Sequence, residues 1–273
     1  MLKTLVRSRP EEGHKGTFGH ALLVAGCYGM AGAGILAGKA CMRSGVGKLT
    51  VHIPMRNNDI MQTSLPEAIL NHDEDDKRWT CSPFESCLPN KYSAIGIGPG
   101  IGREEKTAEA LYKTLLELNF TEVPLVLDAD ALNILAEHPQ WADMIPYGTI
   151  ITPHPLEYRR LLEAGTCLDN VILVLKGHPT IITIPGNPSV KYECPYGNNG
   201  MGTAGSGDVL TGIILGLLAQ GYPPQDAALL GVGLHALSGD LAASELGQHS
   251  LIASDLIENL HKAFKRVSDK HKL

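Results

Sequence analysis

The sequence predicts an α/β fold, a mostly parallel central sheet between two helical layers, in a single domain over residues 1–273. Two observations lead there. Short apolar runs alternate along the chain with segments of helical periodicity. Several of those runs are apolar throughout, as strands covered on both faces are. A third observation concerns the joints. The residues just after the strands are glycines, carboxylates, one His and one Lys, and open sheets of this kind bind ligands at that edge.

Taken in order, His20 to Ala25 (HALLVA) is a buried strand stopped by Gly26, and Met30 to Arg43, rich in Ala and Gly, is a tightly packed helix. Lys48 to Ile53 alternates as a strand. Residues 71–92, with Asp73, Glu74, Asp75 and Asp76, read as a solvated loop or edge excursion. Ser93 to Ile97 is a strand followed by Gly98-Pro-Gly-Ile-Gly102, and Glu104 to Leu118 is an amphipathic helix. Pro124 to Leu127 is a buried strand ending at Asp128, with a short helix from Asp130 to Glu137. Thr149 to Thr152 is a strand stopped by Pro153, Leu156 to Glu163 is helical, and Val171 to Leu175 is an apolar strand. Thr180 to Ile184 and Val190 to Cys194 form a hairpin around Pro185-Gly-Asn-Pro188. Three helices close the chain: Gly205 to Gln220, Pro224 to Leu246 and Leu251 to Val267.

Composition narrows the function classes. Apolar residues make up 44% and charged residues 19% of the 273, which argues for a packed core. A net charge of −6 argues against nucleic acid as a partner. It still permits a small polyanion, because backbone amides and one lysine suffice to hold phosphates. The start MLKTLVRSRPEEGHKG lacks the apolar stretch of a secretory signal. The most apolar run, Val209 to Ala219, is too short for a membrane span. The six scattered cysteines have no zinc spacing and read as reduced, mostly buried thiols of a cytoplasmic protein.

The strongest motif is Gly197-Asn-Asn-Gly-Met-Gly-Thr-Ala-Gly-Ser-Gly-Asp208 ahead of an apolar helix. Glycines let consecutive N–H groups face one concavity, and the helix adds its positive end. Asp208 is then placed to accept a proton from a hydroxyl attacking phosphorus. Helix capping by Asp208 or Ser206 is the competing explanation. Lys176-Gly-His-Pro-Thr180 follows a strand and offers a cation, a tight turn and a hydroxyl. His154 stands between Pro153 and Pro155, which hold its backbone extended. Two near-motifs fail. Gly32-Ala-Gly-Ile-Leu-Ala37 fits a dinucleotide fingerprint, but no acidic residue closes the next strand. Gly47-Lys48 is followed by Leu49, so it is not a Walker A loop.

These residues, in eight ordered blocks, resemble the ADP/ATP-dependent NAD(P)H-hydrate dehydratases of the ribokinase-like superfamily. The blocks are HKGTFGHALLVAG (14–26), GMAGAGILAGKACMRSGVGKLTV (29–51), IGPGIG (97–102), LVLDADALNIL (125–135), ITPHPLEYRRL (151–161), LKGHPTII (175–182), GNNGMGTAGSGDVLTGIILGLLAQG (197–221) and LHALSGDLAA (234–243). The resemblance implies a ribokinase-like three-layer sandwich and repair of hydrated NADH and NADPH. The nicotinamide-ring hydroxyl is phosphorylated from ADP or ATP, usually with Mg2+, and phosphate is then eliminated. It implies Asp208 as base. Ala33, Gly100, His154 and Asp208 line the hydrate site, with Asn133 and Asp130 close by. Lys176, Gly177, His178, Pro179 and Thr180 contact the nucleotide, and Gly205, Ser206 and Gly207 form the anion hole. It assigns no metal ligand. It also implies a homo-oligomer, commonly a tetramer, and an associated epimerase domain or protein. The span 161–171 is short for the family's crossover. A kinase of a small vitamin-precursor alcohol shares the GSGD loop and is the alternative. A nucleotide-binding regulator without catalysis is a third reading, opposed by Asp208.

Overall fold

The computed structural model describes residues 2–84, 89–187 and 189–268. Its elements run α1 (Leu2–Leu5), β1 (His20–Val24), α2 (Ala31–Arg43), β2 (Lys48–Pro54), α3 (Asn58–Ser64), β3 (Ile69–Asp73), β4 (Ala94–Ile97), α4 (Glu105–Leu118), β5 (Leu125–Leu127), α5 (Asp130–Glu137), β6 (Ile150–Ile151), α6 (Pro155–Glu163), β7 (Ile172–Leu175), β8 (Ile181–Thr183), β9 (Lys191–Glu193), α7 (Ser206–Ala219), α8 (Pro224–Leu246) and α9 (Ala253–Ser268). Among the described residues, nine strands make one sheet in the order β3-β2-β1-β4-β5-β6-β7-β8-β9. Pairing is parallel from β3 through β7, and β8 and β9 add an antiparallel hairpin at the edge. The hairpin falls where expected, although Pro188 of its turn lies outside the described residues.

Strand alternation sorts the core into two layers. In β1, Leu22 and Val24 join Ile95, Ile97, Leu111 and Leu115 on one face, while Ala21 and Leu23 join Leu49, Val51, Ile213 and Leu217 on the other. The first layer is closed by α4 and α5, the second by α2, α7, α8 and α9. Helix α4 buries Ala108, Leu111, Leu115 and Leu118, one stripe at helical spacing. The glycines of α7 have a specific use: a methyl group at Gly216 would stand 2.7 Å from the Cys41 carbonyl, so α7 lies directly on the α2 backbone.

Three expectations are corrected. Residues 71–73 are not solvated: they end the edge strand β3, and Asp73 is buried at 4% exposure by hydrogen bonds to its neighbours. Helix α8 does have the length and apolarity to cross a membrane, but 72% of its most apolar window is buried inside this fold, as a core helix would be. Most residues of α7 and α8 are buried, so both helices contribute mainly to the core. Among the five described cysteines, only Cys41 and Cys194 are buried, Cys27 and Cys81 are partly so, Cys167 is exposed, and Cys87 lies outside the described residues. The short 161–171 span is sufficient, because α6 itself carries the crossover from β6 to parallel β7.

Candidate active site

The parallel strands bring five segments to one edge: Gly26 after β1, Gly98 after β4, Asp128 after β5, His154 after β6 and Lys176 after β7. Helix α7 starts above them. Its N-cap is Gly205 in the left-handed conformation, φ +88°, and no side chain caps it. A side chain there would also run into Leu36. Capping by Ser206 or Asp208 is thus ruled out, and the start of α7 faces outward as a row of amides. Ser206 instead turns to α8, where the His235 Nε2 donates to the Ser206 carbonyl at 2.9 Å and lies 3.2 Å from its hydroxyl. Burial lowers the His235 pKa to about 4, so it is neutral near pH 7.

A cavity of about 450 Å3 opens in front of this helix start. It is lined by Lys176, Gly177, His178, Thr180, Ser206 and Gly207 together with His154. The Thr180 hydroxyl closes the turn by donating to the Gly177 carbonyl at 3.0 Å, and the His178–Pro179 bond is cis. The far wall is the 196–203 loop, anchored because Asp240 accepts from the Gly197 amide and the Asn198 side chain, both at 2.9 Å.

Lys176 marks the floor. Its Nζ donates to Asp128 Oδ1 at 2.7 Å, and a Cβ at Gly207 would stand 3.0 Å from that Nζ. The ammonium therefore sits against the amide row. Asp208, in the first turn of α7, has its carboxyl pKa pushed up to about 7. Burial is the main cause, Asp128 adds to it, Lys176 opposes it, and Asp130 and Glu157 add smaller repulsions. A carboxylate poised near neutrality suits general base work.

The remaining predicted residues form a second group beside the cavity. The Cys27 amide donates to the Gly100 carbonyl, tying the loops after β1 and β4 together at 2.6 Å. Gly100 has φ +62°, and a Cβ there would stand 3.0 Å from the Ala33 methyl, so these two residues face each other. Asp130 accepts from the Gly102 amide at 3.0 Å, and burial raises its pKa. Asn133 accepts from Arg160 at 2.9 Å and donates to the Ala129 carbonyl at 3.2 Å. Ala129, φ +49°, is the sole positive-φ residue other than glycine among those described. It turns the chain so that Asp128 and Asp130 serve different partners.

His154 has a structural duty as well. Its Nδ1 accepts from the amides of Leu156 and Glu157, and Glu157 accepts from the His154 amide, a reciprocal cap on α6. This arrangement assigns the other proton to Nε2, which lies 3.3 Å from Glu157 Oε1. His154 thus lines the same cavity as Lys176, His178 and Gly207. Sequence reasoning passed over Thr211, His235 and Asp240. Their signal was the 234–243 block and the polar positions inside apolar helices.

Taken together, the edge combines a row of open amides, a lysine ammonium and a half-buried carboxylate, an arrangement that suits phosphoryl transfer. Comparison with known proteins refines that class. Residues 21–262 match the family described as NAD(P)H-hydrate dehydratase, and the chain belongs to that family. It is 34% identical over 281 residues to the ADP-dependent (S)-NAD(P)H-hydrate dehydratase of Bacillus subtilis, covering 97% of this chain and 96% of that protein. The crystal structure of the B. subtilis ADP/ATP-dependent enzyme with ATP/Mg2+ superposes with a TM-score of 0.81 at 32% identity, over 97% and 96% of the two chains. A ribokinase-like superfamily protein from Enterococcus faecalis superposes at 0.82 with 26% identity, over 98% and 94%. The fold is ribokinase-like. The chain spans about half the length of the bifunctional NAD(P)H-hydrate repair enzymes it also matches.

Proposed function

We propose that residues 1–273 act as one dehydratase domain that returns the S epimer of hydrated NADH or NADPH to the dihydropyridine, consuming ADP or ATP. The observation that carries this reading is Asp208 in the first turn of an uncapped helix, poised near neutrality, with Lys176 against the same amide row. Asp208 takes the proton of the ring hydroxyl as its oxygen attacks the terminal phosphorus of the nucleotide. The amides of Gly205, Ser206 and Gly207 and the Lys176 ammonium balance the charge on the moving phosphoryl group. The phosphorylated hydroxyl is now a good leaving group. The ring nitrogen lone pair expels phosphate, a proton leaves the neighbouring carbon, and the double bond returns. Ala33 and Gly100 let the ring approach the backbone closely. Lys176 to Thr180 hold the nucleotide.

Magnesium fits this reading as a passenger on the nucleotide. Three carboxylates at the edge are already engaged, Asp128 by Lys176 and Thr211, Asp130 by Gly102 and Glu157 by His154, and this reading keeps Asp208 for the proton. Among the described residues, the one three-ligand cluster is His52, Asp73 and Cys81, away from the cavity. Mg2+ held mainly by phosphate oxygens and water is its usual mode, and it would neutralise the phosphates. The reading includes a cytoplasmic location, a tetrameric assembly measurable by light scattering, and an epimerase domain or protein that supplies the S epimer.

The test mixes the protein with hydrated NADH, Mg2+ and either nucleotide while the dihydropyridine absorbance is followed. Recovery is expected. Folded protein that gives none with ADP or ATP ends the proposal, and phosphorylation of a thiazole or pyrimidine alcohol instead would favour the alternative kinase.

A further inference from the structure

Asp128 is 1% exposed and both its oxygens are taken. Oδ1 accepts from Lys176 Nζ at 2.7 Å, and Oδ2 accepts from Thr211 Oγ1, also at 2.7 Å. Thr211 is fully buried one turn into α7, and its hydroxyl is 3.2 Å from the Gly207 carbonyl as well. One carboxylate thus ties together the end of β5, the lysine after β7 and the helix whose first turn is the anion hole. A Cβ at Gly207 would lie 3.0 Å from Lys176 Nζ and 3.8 Å from Asp128 Oδ2, so ammonium, carboxylate and amide row are in mutual contact. A lysine on a four-carbon stem has many rotamers, and only a fixed acceptor keeps it in one. Ionised aspartate is acceptor-only, so it suits two donors at once, where asparagine must turn an N–H2 toward one of them.

We propose that Asp128 is a positioning residue for phosphoryl transfer: it pins the Lys176 ammonium beside the Gly207 amide and locks the first turn of α7 through Thr211. This rests on the dehydratase reading for its turnover measurements, but its primary readout is nucleotide binding. The charged groups facing Asp208 are Asp128 after β5, Asp130 on α5, Glu157 on α6 and Lys176 after β7, with neutral His235 on α8 behind Ser206. Removing the Asp128 charge takes away the largest carboxylate repulsion on Asp208; Lys176 still attracts it, and Asp130 and Glu157 still repel it more weakly.

The test uses the full chain. Asp128→Asn is expected to weaken ADP binding, measured by calorimetry, on the order of 10-fold, and to lower kcat on the order of 100-fold. The KM for hydrated NADH should stay within about 2-fold, and the acid limb of the kcat profile should move to lower pH. In a Lys176→Met background the same substitution should add a clearly smaller loss of ADP affinity, only what the Thr211 bond contributes, because Asp128 and Lys176 otherwise act as a unit. Unchanged ADP affinity in folded Asp128→Asn overturns the proposal. So does an undiminished effect in the Lys176→Met background, or an acid limb that does not move. If Asp128→Asn does not fold, Thr211 decides. Thr211→Val should weaken ADP binding and Thr211→Ser should restore it; wild-type binding in Thr211→Val overturns the assignment. Wild-type protein that binds ADP yet leaves hydrated NADH unchanged would defeat the dehydratase reading and leave this one standing on its binding data.

Discussion

Asp73 ends β3 at one side of the sheet and Asp128 follows β5 near its middle, so both are buried carboxylates on the same edge. Their partners differ. Asp73 accepts from His52 Nε2 at 3.1 Å, from the Thr80 amide and hydroxyl at 2.7 and 2.6 Å, from the Asp75 amide at 2.8 Å and from the Cys81 amide at 3.2 Å. Every donor comes from β2 or from the turn that Asp73 itself begins. The shell is closed, and it holds down residues 73–81. With those lone pairs engaged, the His52–Asp73–Cys81 cluster is explained as an anchor. Asp128 has two side-chain donors, the Lys176 ammonium and the Thr211 hydroxyl, and beyond them lies a cavity with open amides. Burial alone does not mark a catalytic carboxylate. Burial next to unfilled donors marks a carboxylate that can serve a site, directly or by holding its neighbours in place.

The largest test of this contrast is Asp208→Asn. Removing only the proton acceptor should lower kcat on the order of 1,000-fold while leaving ADP affinity within a few-fold. Stopped or steady-state turnover with calorimetric ADP binding checks it, and near-normal turnover would remove Asp208 from the role of base. On the structural side, Asp73→Ala strands those five N–H and O–H donors and the Cys81 thiol. Chemical denaturation should show a loss on the order of 3 kcal/mol, with turnover per folded molecule unchanged. A drop in turnover at full folding would move the β3 edge into the active site.

His154 stands between the two cases, half anchor and half site. His154→Ala removes the α6 cap and should cost about 1 kcal/mol of stability. It should also raise KM for the hydrate a few-fold, and more than that for ADP. Because the His154 ring shares the wall with Lys176 and His178, a larger rise for ADP would place it on the nucleotide side.

What the sequence made legible follows from distance along the chain. Gly205 to Asp208 and Lys176 to Thr180 each carry their signal within a few residues: small residues before an apolar helix, a lysine after an apolar strand. The alternation of elements is local too, so the order of strands and helices was readable except at the one-turn α1 and at α3 and β3. At α3 and β3 the residues are polar, and Asp73 is buried only because Thr80 and Cys81 fold back onto it. Asp128 stood in the right place after β5, but its partners lie 48 and 83 residues further on. No local pattern specifies that meeting. His154 was legible as rigidly framed, yet its cap depends on Glu157 turning back to its amide.

The smallest expected effect is also the sharpest contrast, because Asp73 at the anchor and Asp208 at the cavity carry opposite pH signatures. Burial pushes the Asp73 carboxyl up, but hydrogen bonds from His52, Thr80 and the Asp75 and Thr80 amides outweigh it and hold the pKa well below the usual carboxylate range. Its stabilisation is therefore present above pH 4 and is lost as pH falls toward the depressed value. Asp208 runs the other way. With a folded pKa near 7 against 3.8 unfolded, the folded state holds the proton more tightly, so stability is full below about pH 4 and declines as pH rises through 7. Asp208→Asn mimics the protonated form at every pH. Its Tm should exceed wild type by roughly 2–4 °C at pH 8, a gain on the order of 1 kcal/mol after allowing for solvent at the open side of the site. The gain should vanish by pH 4. Asp73→Asn should lose Tm at pH 8 and approach wild type only in acid. Thermal melts of both variants across pH 4–8 decide the matter. Parallel curves would mean that the two carboxylates are held alike, and that the cavity side of the edge stores no strain for catalysis.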